Sequence, residues 1–354
     1  MSIEIKFKEK LATLLFVTLK KDRIKAIFDE DIENEIYIPI KSSDLIENSK
    51  VLDENKIPLS YFIEGMFYVL GADEDFKYNS IYKDLLNKLE SSNPFIKGRV
   101  FKLIDAKQYE EAYILLKGLC SVEKNKDNYN KIIFLLENLR KLDGDYKEEE
   151  IKMLDSAKEI SNYALPYLYE AIIKKDDKDY ESAYNLINFY ISEGGEVTPE
   201  VSELKDNLKI YKDYENAISL IDESPKEALA ILIPLIDVLG DDPSLLYYVG
   251  VASRNVGAYE KAIYYLNEAL ALDSDMIQVV NEIGINYASL GDYDTAIKYL
   301  KKAFEVTRSI EICTNIVMCY INKKDIKNAK LHLEIAEKLD KDDEIVKQIK
   351  QVLK

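Results

Sequence analysis

Two segments of 17 residues near the end of the sequence share one pattern of residues. Residues 257–273 are GAYEKAIYYLNEALALD and residues 291–307 are GDYDTAIKYLKKAFEVT, so glycine, tyrosine, alanine, isoleucine and leucine recur with starts 34 residues apart. Repetition at such an interval is typical of chains that stack copies of one supersecondary unit into an array. We therefore predict an array of small units rather than one large globular core for the 354 residues.

Small residues keep the same register beyond these two copies. Alanine recurs at intervals of 34, 34 and 33 residues, and each alanine is followed four residues later by leucine. The pairs are Ala228 and Leu232, Ala262 and Leu266, Ala296 and Leu300, and Ala329 and Leu333. A spacing of four places both side chains on one helix face. The small residue allows a neighbouring helix to approach, and the leucine fills the space beside it.

A second pattern precedes each alanine and marks a partner helix. Val249-Gly250, Ile283-Gly284 and Ile316-Val317 lie one repeat apart. Glycine inside a helix costs about 0.5–1 kcal/mol relative to alanine, so its recurrence predicts close contact between the paired helices. The turns between the helices contain Gly257, Gly291 or Lys324-Asp325. Glycine ends a helix readily, and aspartate caps the next one.

Together these offsets resemble the tetratricopeptide repeat, in which Leu-Gly and then Tyr mark the first helix and Ala-x3-aromatic marks the second. The matches are Leu246-x2-Val249-Gly250 with Ala262-x3-Leu266, and Val280-x2-Ile283-Gly284-x2-Tyr287 with Ala296-x3-Leu300. Tryptophan is absent, Val317 replaces the glycine, and leucine replaces the aromatic residue. The resemblance covers residues 243–340 in three copies and persists in weaker form over 93–242, where Glu149 stands in place of alanine.

The resemblance implies a mainly α fold, a right-handed α-solenoid of about seven helical hairpins. We expect five segments: a small mixed α/β module at 1–56, connecting helices at 57–92, degenerate hairpins at 93–242, three well-matched repeats at 243–340, and a capping helix at 341–354. Pro234 is expected to kink or end its helix. Gly194-Gly195 is expected to be an irregular joint.

The N-terminal module has a different hydrophobic period. Residues 3–7 (IEIKF) alternate apolar and charged side chains, and residues 35–40 (EIYIPI) are rich in β-branched and aromatic residues. Both patterns predict strands. Residues 10–19 fit a strand or a helix.

Composition and charge limit the partners. The net charge of −17 opposes nucleic acid and anionic lipid, and we expect neither as a partner. The three cysteines form no CxxC motif, which favours reduced thiols in a cytoplasmic protein. No apolar stretch reaches the length of a membrane-spanning helix. Nothing in the sequence assigns an oligomeric state.

Residues for chemistry are sparse. His332 is the only histidine, which excludes a zinc site with two histidines and leaves no histidine triad elsewhere. The acidic segments 29–40 and 71–84 lack the full ligand pattern of a calcium loop, so solvated helix caps are the simpler interpretation. We therefore predict no catalytic residues, no metal and no cofactor.

The remaining candidate site is a surface. In a stacked array of this kind the first helix of each hairpin is expected to line the concave side. The predicted partner-binding residues are Tyr247, Tyr248, Arg254, Asn255, Gln278, Asn281, Asn315 and Met318, and the same face carries Val251, Glu282, Ile285 and Thr314. Amides bond an extended backbone, and aromatic residues and methionine add apolar contact. The alternative is that several of these residues only pack. Tyr247 and Val251 do not match the polar set with which some family members clamp a carboxylate tail.

Three functions fit these observations. The leading hypothesis is a non-enzymatic adaptor that binds a peptide segment or protein partner in the solenoid groove. The alternative is a bacterial peptide-sensing regulator, whose N-terminal effector module is expected to be wholly helical. The third is an enzyme whose active site lies in the N-terminal module, although its first 92 residues lack histidine, cysteine and a glycine-rich loop.

The repeat register makes a direct prediction about Ala296. Ala296→Leu should overpack the helix junction and lower the free energy of unfolding by roughly 1–3 kcal/mol, measured by thermal melting. An unchanged melting temperature would contradict helix contact at this alanine.

Overall fold

The computed structural model describes residues 3–30, 35–42 and 57–353. The chain divides into two compact units, Met1–Lys205 and Asp206–Lys354, and the boundary falls within a helix, Pro199–Ser219. Each unit has its own buried apolar clusters.

The first unit begins with a strand pair between short helices. Its elements are α1 (Ile3–Lys10), a 3-10 turn (Leu11–Thr13), β1 (Leu14–Leu19), α2 (Lys21–Phe28) and β2 (Ile36–Lys41). The strands are antiparallel, with Leu14 opposite Lys41 and Leu19 opposite Ile36. The strand predicted at 35–40 is therefore confirmed, with bounds of 36–41, and residues 10–19 divide between helix end, turn and strand.

The predicted strand at residues 3–7 is wrong, because this segment is the start of α1. Ile3 and Phe7 are buried, whereas Ile5 is half exposed. A spacing of four residues places Ile3 and Phe7 on one helix face, so the same letters satisfy a helix with one buried stripe.

The next helix, α3 (Leu59–Ala72), is the centre of the first unit, and α4 (Asn79–Lys88) follows it. Every residue from Phe62 to Ala72 is buried, as expected for a helix that is apolar on nearly all sides. A Cβ on Gly65 would lie 1.9 Å from the carbonyl oxygen of Pro39. Strand β2 therefore lies almost on the backbone of α3.

Seven helix pairs follow between residues 92 and 339. They are α5 (Ser92–Asp105) with α6 (Tyr109–Val122), α7 (Lys126–Leu142) with α8 (Lys147–Lys158), α9 (Leu165–Asp176) with α10 (Tyr180–Ser192), α11 (Pro199–Ser219) with α12 (Pro225–Leu239), α13 (Pro243–Asn255) with α14 (Tyr259–Leu272), α15 (Ile277–Ser289) with α16 (Tyr293–Thr307), and α17 (Ile310–Asn322) with α18 (Ile326–Leu339). In six of these pairs the two helices contact each other along their length, and α11 and α12 share a buried cluster that contains Ala217, Ala228 and Leu232. This consecutive pairing confirms the predicted α-solenoid class. The last helix, α19 (Glu344–Val352), buries Val346 and Ile349.

Helix α3 also meets α6 at two facing glycines. A Cβ on Gly71 would lie 1.8 Å from the carbonyl oxygen of Ile114, and a Cβ on Gly118 would lie 2.0 Å from that of Phe67. Neither position has room for any larger residue, so the two backbones touch directly.

In the second unit the small residues have the predicted neighbours. Ala262 and Ala296 are fully buried. A Cβ on Gly250 would lie 2.6 Å from Cγ of Leu266, and the equivalent distance from Gly284 to Leu300 is 2.7 Å. The space beside each of these glycines is therefore filled mainly by a leucine side chain of the second helix. Contact with the backbone of the second helix is smaller than predicted.

The turns follow the expected chemistry. Gly257 and Gly291 have φ of 80° and 84°, and Lys324 adopts the same left-handed region. The Asp292 carboxylate accepts a hydrogen bond from the Thr295 N–H at 3.1 Å. Pro234 does not end its helix, since α12 continues to Leu239.

Glu149, which replaces the repeat's alanine in α8, is buried. Its Oε1 accepts hydrogen bonds from the Tyr113 hydroxyl at 2.5 Å and from Lys117 Nζ at 2.6 Å. Both donors lie on α6. A polar network therefore fills this place where other repeats use a small apolar contact.

Two glycines in neighbouring helices provide a matched stability test. Gly118→Ala should lower the free energy of unfolding by about 1–3 kcal/mol or more, because its Cβ collides with backbone. Gly98→Ala in α5 should raise it by about 0.5–1 kcal/mol, since Gly98 has open space around it. Chemical denaturation of both variants checks this, and equal effects would contradict the close α3–α6 contact.

Candidate partner-binding surface

The first helices of the last three pairs form one continuous surface. Helix α15 contacts α13 on one side and α17 on the other. We call this face the first-helix surface, and its equivalent positions in the three helices are Tyr247, Asn281 and Thr314; Tyr248, Glu282 and Asn315; and Val251, Ile285 and Met318. Five of the eight predicted partner-binding residues belong to it, and Arg254, Asn255 and Gln278 lie on the same helices.

At the α13 end the surface is occupied by packed tyrosines. Tyr247 and Tyr248 are half-buried, with ring centroids 5.2 Å apart. The Tyr248 ring also meets Tyr214 edge-on at 6.1 Å. Burial, with a smaller effect from Glu282, raises the pKa of Tyr247. These two rings contribute to packing within the chain as well as to the surface.

Arg254 is engaged by a neighbouring helix, and Asn255 by the turn between α11 and α12. Arg254 Nε donates to Glu282 Oε2 at 2.9 Å, which joins α13 to α15. Asn255 Nδ2 donates to the Ile221 carbonyl at 3.0 Å and to Asp222 Oδ1 at 3.3 Å. Their hydrogen-bonding groups are thus partly used inside the chain.

Two residues expected on the exposed face are buried. Glu282 is only 9% exposed, and burial raises its pKa despite the attraction of Arg254. Thr314 is 5% exposed and donates its hydroxyl to the Glu311 carbonyl. Close contact between successive first helices covers both positions. The hydrophobic pattern of a single helix does not predict this contact.

Asn281 and Gln278 lie on α15 and differ in exposure. Gln278 is exposed, whereas Asn281 is intermediate. The carbonyl oxygen Oδ1 of Asn281 is buried and has no hydrogen-bond partner among the described residues. Buried polar atoms are nearly always paired, so this oxygen is an exception, although its burial keeps it away from the surface.

Asn315 and Met318 border a hollow of about 220 Å³ between α15, α16 and α17, which we call the C-terminal hollow. Its lining is Ile285, Ala288, Ser289, Tyr293, Leu300, Asn315, Met318, Cys319 and Asn322. No residue in the described ranges hydrogen-bonds the side-chain amide of Asn315. Met318 is 43% exposed. The hollow thus combines a free amide with an exposed flexible apolar side chain.

Three polar lining residues were missed from sequence. Ser289 lies four residues after Ile285, and Asn322 lies four residues after Met318, so each is one turn further along the same helix face. Tyr293 starts the second helix of its pair. Extending the surface by one helical turn would have found the first two.

The cysteine thiols and His332, which the sequence offers as candidates for chemistry, lie in packed environments. The three thiols are free and buried, and burial raises the pKa of Cys319 to about 11. The His332 ring packs 5.1 Å from Tyr320, and burial lowers its pKa. Within 3–30, 35–42 and 57–353, no group of three or more His, Cys, Asp or Glu side chains is placed to hold a metal ion. Part of the acidic segment 29–40, residues 31–34, lies outside the described residues.

A helix that spans a bilayer has about 20 consecutive, predominantly apolar residues. Among the described helices, none is long and apolar enough to span a membrane.

The Arg254–Glu282 pair predicts a pH-dependent stability change. Arg254→Met keeps the apolar stem but leaves a buried carboxylate unpaired, so the free energy of unfolding should fall by about 1–3 kcal/mol at neutral pH. Because the pKa of Glu282 is raised in the folded chain, the folded state binds more protons than the unfolded state, and stability falls as pH rises through that pKa. The deficit should therefore shrink in acid.

Urea unfolding at pH 7 and pH 5 measures this effect. The control is Lys323→Met, which breaks the exposed pair with Asp294 and should have little effect at either pH. A deficit for Arg254→Met that does not change with pH would contradict the buried-carboxylate explanation.

Comparison with known proteins gives the family of these repeats. The tetratricopeptide repeat family model matches residues 277–309 and 310–343. No curated protein is significantly similar to the chain.

Three solved structures show partial similarity. A MamA protein is 18% identical over 49% of this chain and 90% of that chain, with a TM-score of 0.38. YrrB, described as a TPR protein with an unusual peptide-binding site, is 18% identical over 56% of this chain and 96% of that chain, with a TM-score of 0.39. The APC/C hetero-tetramer Cut9–Hcn1 is 14% identical over 88% of this chain and 66% of that chain, with a TM-score of 0.37. The two segments that the family model matches coincide with the pairs α15–α16 and α17–α18, and helices α15, α16 and α17 line the C-terminal hollow. Residues 277–343 are therefore two tetratricopeptide repeats.

Proposed function

We propose that the protein is a non-enzymatic adaptor that binds an extended peptide segment of a partner protein on the first-helix surface, at α15 and α17. Tetratricopeptide repeats are typically protein-interaction scaffolds, and this supports the general class. The observation that carries the finer proposal is the unpartnered amide of Asn315 beside exposed Met318 at the C-terminal hollow.

The chemistry of the hollow favours a peptide. A side-chain amide both donates and accepts, so Asn315 can pair with one peptide group of an extended backbone. Met318 adapts its shape to an apolar side chain. The volume of about 220 Å³ lies below the range of about 300–1,000 Å³ usual for small-molecule sites, and therefore suits one side chain of a longer ligand.

Charge and position refine the expected partner. The chain carries a net charge of −17, so a neutral or basic segment approaches it more readily than an acidic one. Gln278, one helix away, offers an exposed amide. The buried reduced thiols are compatible with a cytoplasmic location.

The peptide-sensing regulator receives less support. That hypothesis expects a wholly helical effector module at the N-terminus. Residues 14–19 and 36–41 instead form a strand pair. We therefore retain the adaptor as the single proposed function.

Met318 and Val306 provide a matched test. Peptides selected by display on the full chain should bind Met318→Glu at least about tenfold more weakly, because a charge enters the apolar contact. Val306→Glu, on α16, adds the same charge at a side chain that is 70% exposed outside the hollow, and it should bind as the wild type does. Fluorescence anisotropy measures the affinities. Equal affinities of the two variants would place the peptide elsewhere.

A further inference from the structure

A second hollow, of about 310 Å³, lies in the N-terminal unit among α3, α4, α6, α7 and α8, and we call it the lysine pocket. Its polar lining includes Lys83, Lys117, Lys124, Lys152, Asn79 and Tyr129. Four lysines around one hollow are unexpected in a chain with a net charge of −17. The local charge is therefore opposite to that of the molecule.

The ammonium groups of the pocket have few acceptors. Oε1 of Glu74 lies 2.9 Å from Nζ of Lys117 and 2.9 Å from Nζ of Lys152, so one oxygen serves two cations. Lys117 has a second acceptor in Glu149. An ammonium group has three N–H donors, so Lys152 retains two without a partner.

Lys83 and Lys124 complete the positive charge. Lys124 pairs with Glu159 at 3.0 Å, outside the lining. Lys83 makes no ion pair or hydrogen bond to any residue that the structure describes. Its three N–H donors therefore face the pocket or water.

The single lining carboxylate stays ionised at neutral pH. Partial burial opposes this, but the ammonium groups of Lys117 and Lys152 lower the pKa of Glu74 to about 2. Both ammonium groups pair with the Glu74 carboxylate, so one negative charge is shared between two lysines. With the partners Glu149 and Glu159 included, three carboxylates offset four ammonium groups, and one positive charge remains at the pocket.

Tyr129 and Cys120 indicate whether the pocket suits binding or reaction. The Tyr129 ring is buried, and its hydroxyl has no hydrogen-bond partner among the described residues. That hydroxyl is a neutral donor beside the lysines. Burial raises the pKa of the neighbouring Cys120 thiol to about 12, so the thiol stays protonated and unreactive. The pocket is thus equipped to bind an anion and not to react with it.

We propose that the lysine pocket binds the phosphoryl group of a phosphate monoester. Ammonium groups act as point charges that can surround a tetrahedral phosphoryl group, and lysine binds phosphate in this way. The monoester is a small metabolite or a phosphorylated side chain of a partner, and both present the same group.

Isothermal titration of the full chain tests the proposal with three probes: inorganic phosphate, a phosphoserine peptide and the same peptide without phosphate. The expected result is saturable binding of phosphate and the phosphopeptide, weakened by added salt, and no binding of the unmodified peptide. Equal affinities for the first two indicate recognition of the phosphoryl group alone, as in a metabolite. Tighter binding of the phosphopeptide indicates that the peptide chain contributes.

Lys83 provides the variant and Lys102 the control. Lys83→Gln removes a cation that supports no other contact, and it should weaken phosphate binding by about three- to tenfold without changing the melting temperature. Tyr129→Phe keeps the buried ring and should also weaken binding. Lys102→Gln removes the same charge from an exposed position of α5 outside the pocket and should bind as the wild type does. Absence of saturable binding, or equal weakening by Lys83→Gln and Lys102→Gln, would overturn the proposal.

Discussion

The close approach of neighbouring helices, which only small residues permit, is the constraint on which both units depend. In the first unit the backbones of α3 and α6 touch at Gly71 and Gly118, where any side chain would meet a carbonyl oxygen. In the second unit Gly250 and Gly284 receive leucines from the second helices. Interiors packed at this density do not absorb an extra methyl group without displacing backbone. These contacts fix the spacing of the helices that carry the polar groups described above.

Close packing also determines which polar groups remain available. On the first-helix surface, contact between α13 and α15 lets Arg254 reach Glu282, and both groups are satisfied there. One repeat further on, the equivalent of Glu282 is Asn315, whose amide remains free. The equivalent of Arg254 is Ala288, which lines the C-terminal hollow together with Asn315. Loss of the arginine and replacement of the carboxylate by an amide therefore convert an internal contact into a candidate ligand group.

The sequence predicted the parts of the fold that repeat. Alanine and leucine at intervals of 33 and 34 residues identified the helix pairs, because packing imposes the same steric requirement on each copy. Residues 3–7 were misassigned, since a short alternating pattern also fits one helix turn. The burial of Glu282 and Thr314 was missed because it arises from neighbouring helices, and the lysine pocket was missed because its residues come from five helices far apart in the chain.

The replacement of alanine by Glu149 has a consequence for how this array can change. Duplication, deletion or exchange of whole repeats is tolerated where each copy presents equivalent faces to its neighbours. A copy of the C-terminal phrase placed at residues 144–158 would put alanine at 149 and leave the Lys117 ammonium and the Tyr113 hydroxyl without their shared acceptor. Helices α6 and α8 are thus coupled through Glu149, and a change of repeat at one of them requires a compensating change at the other.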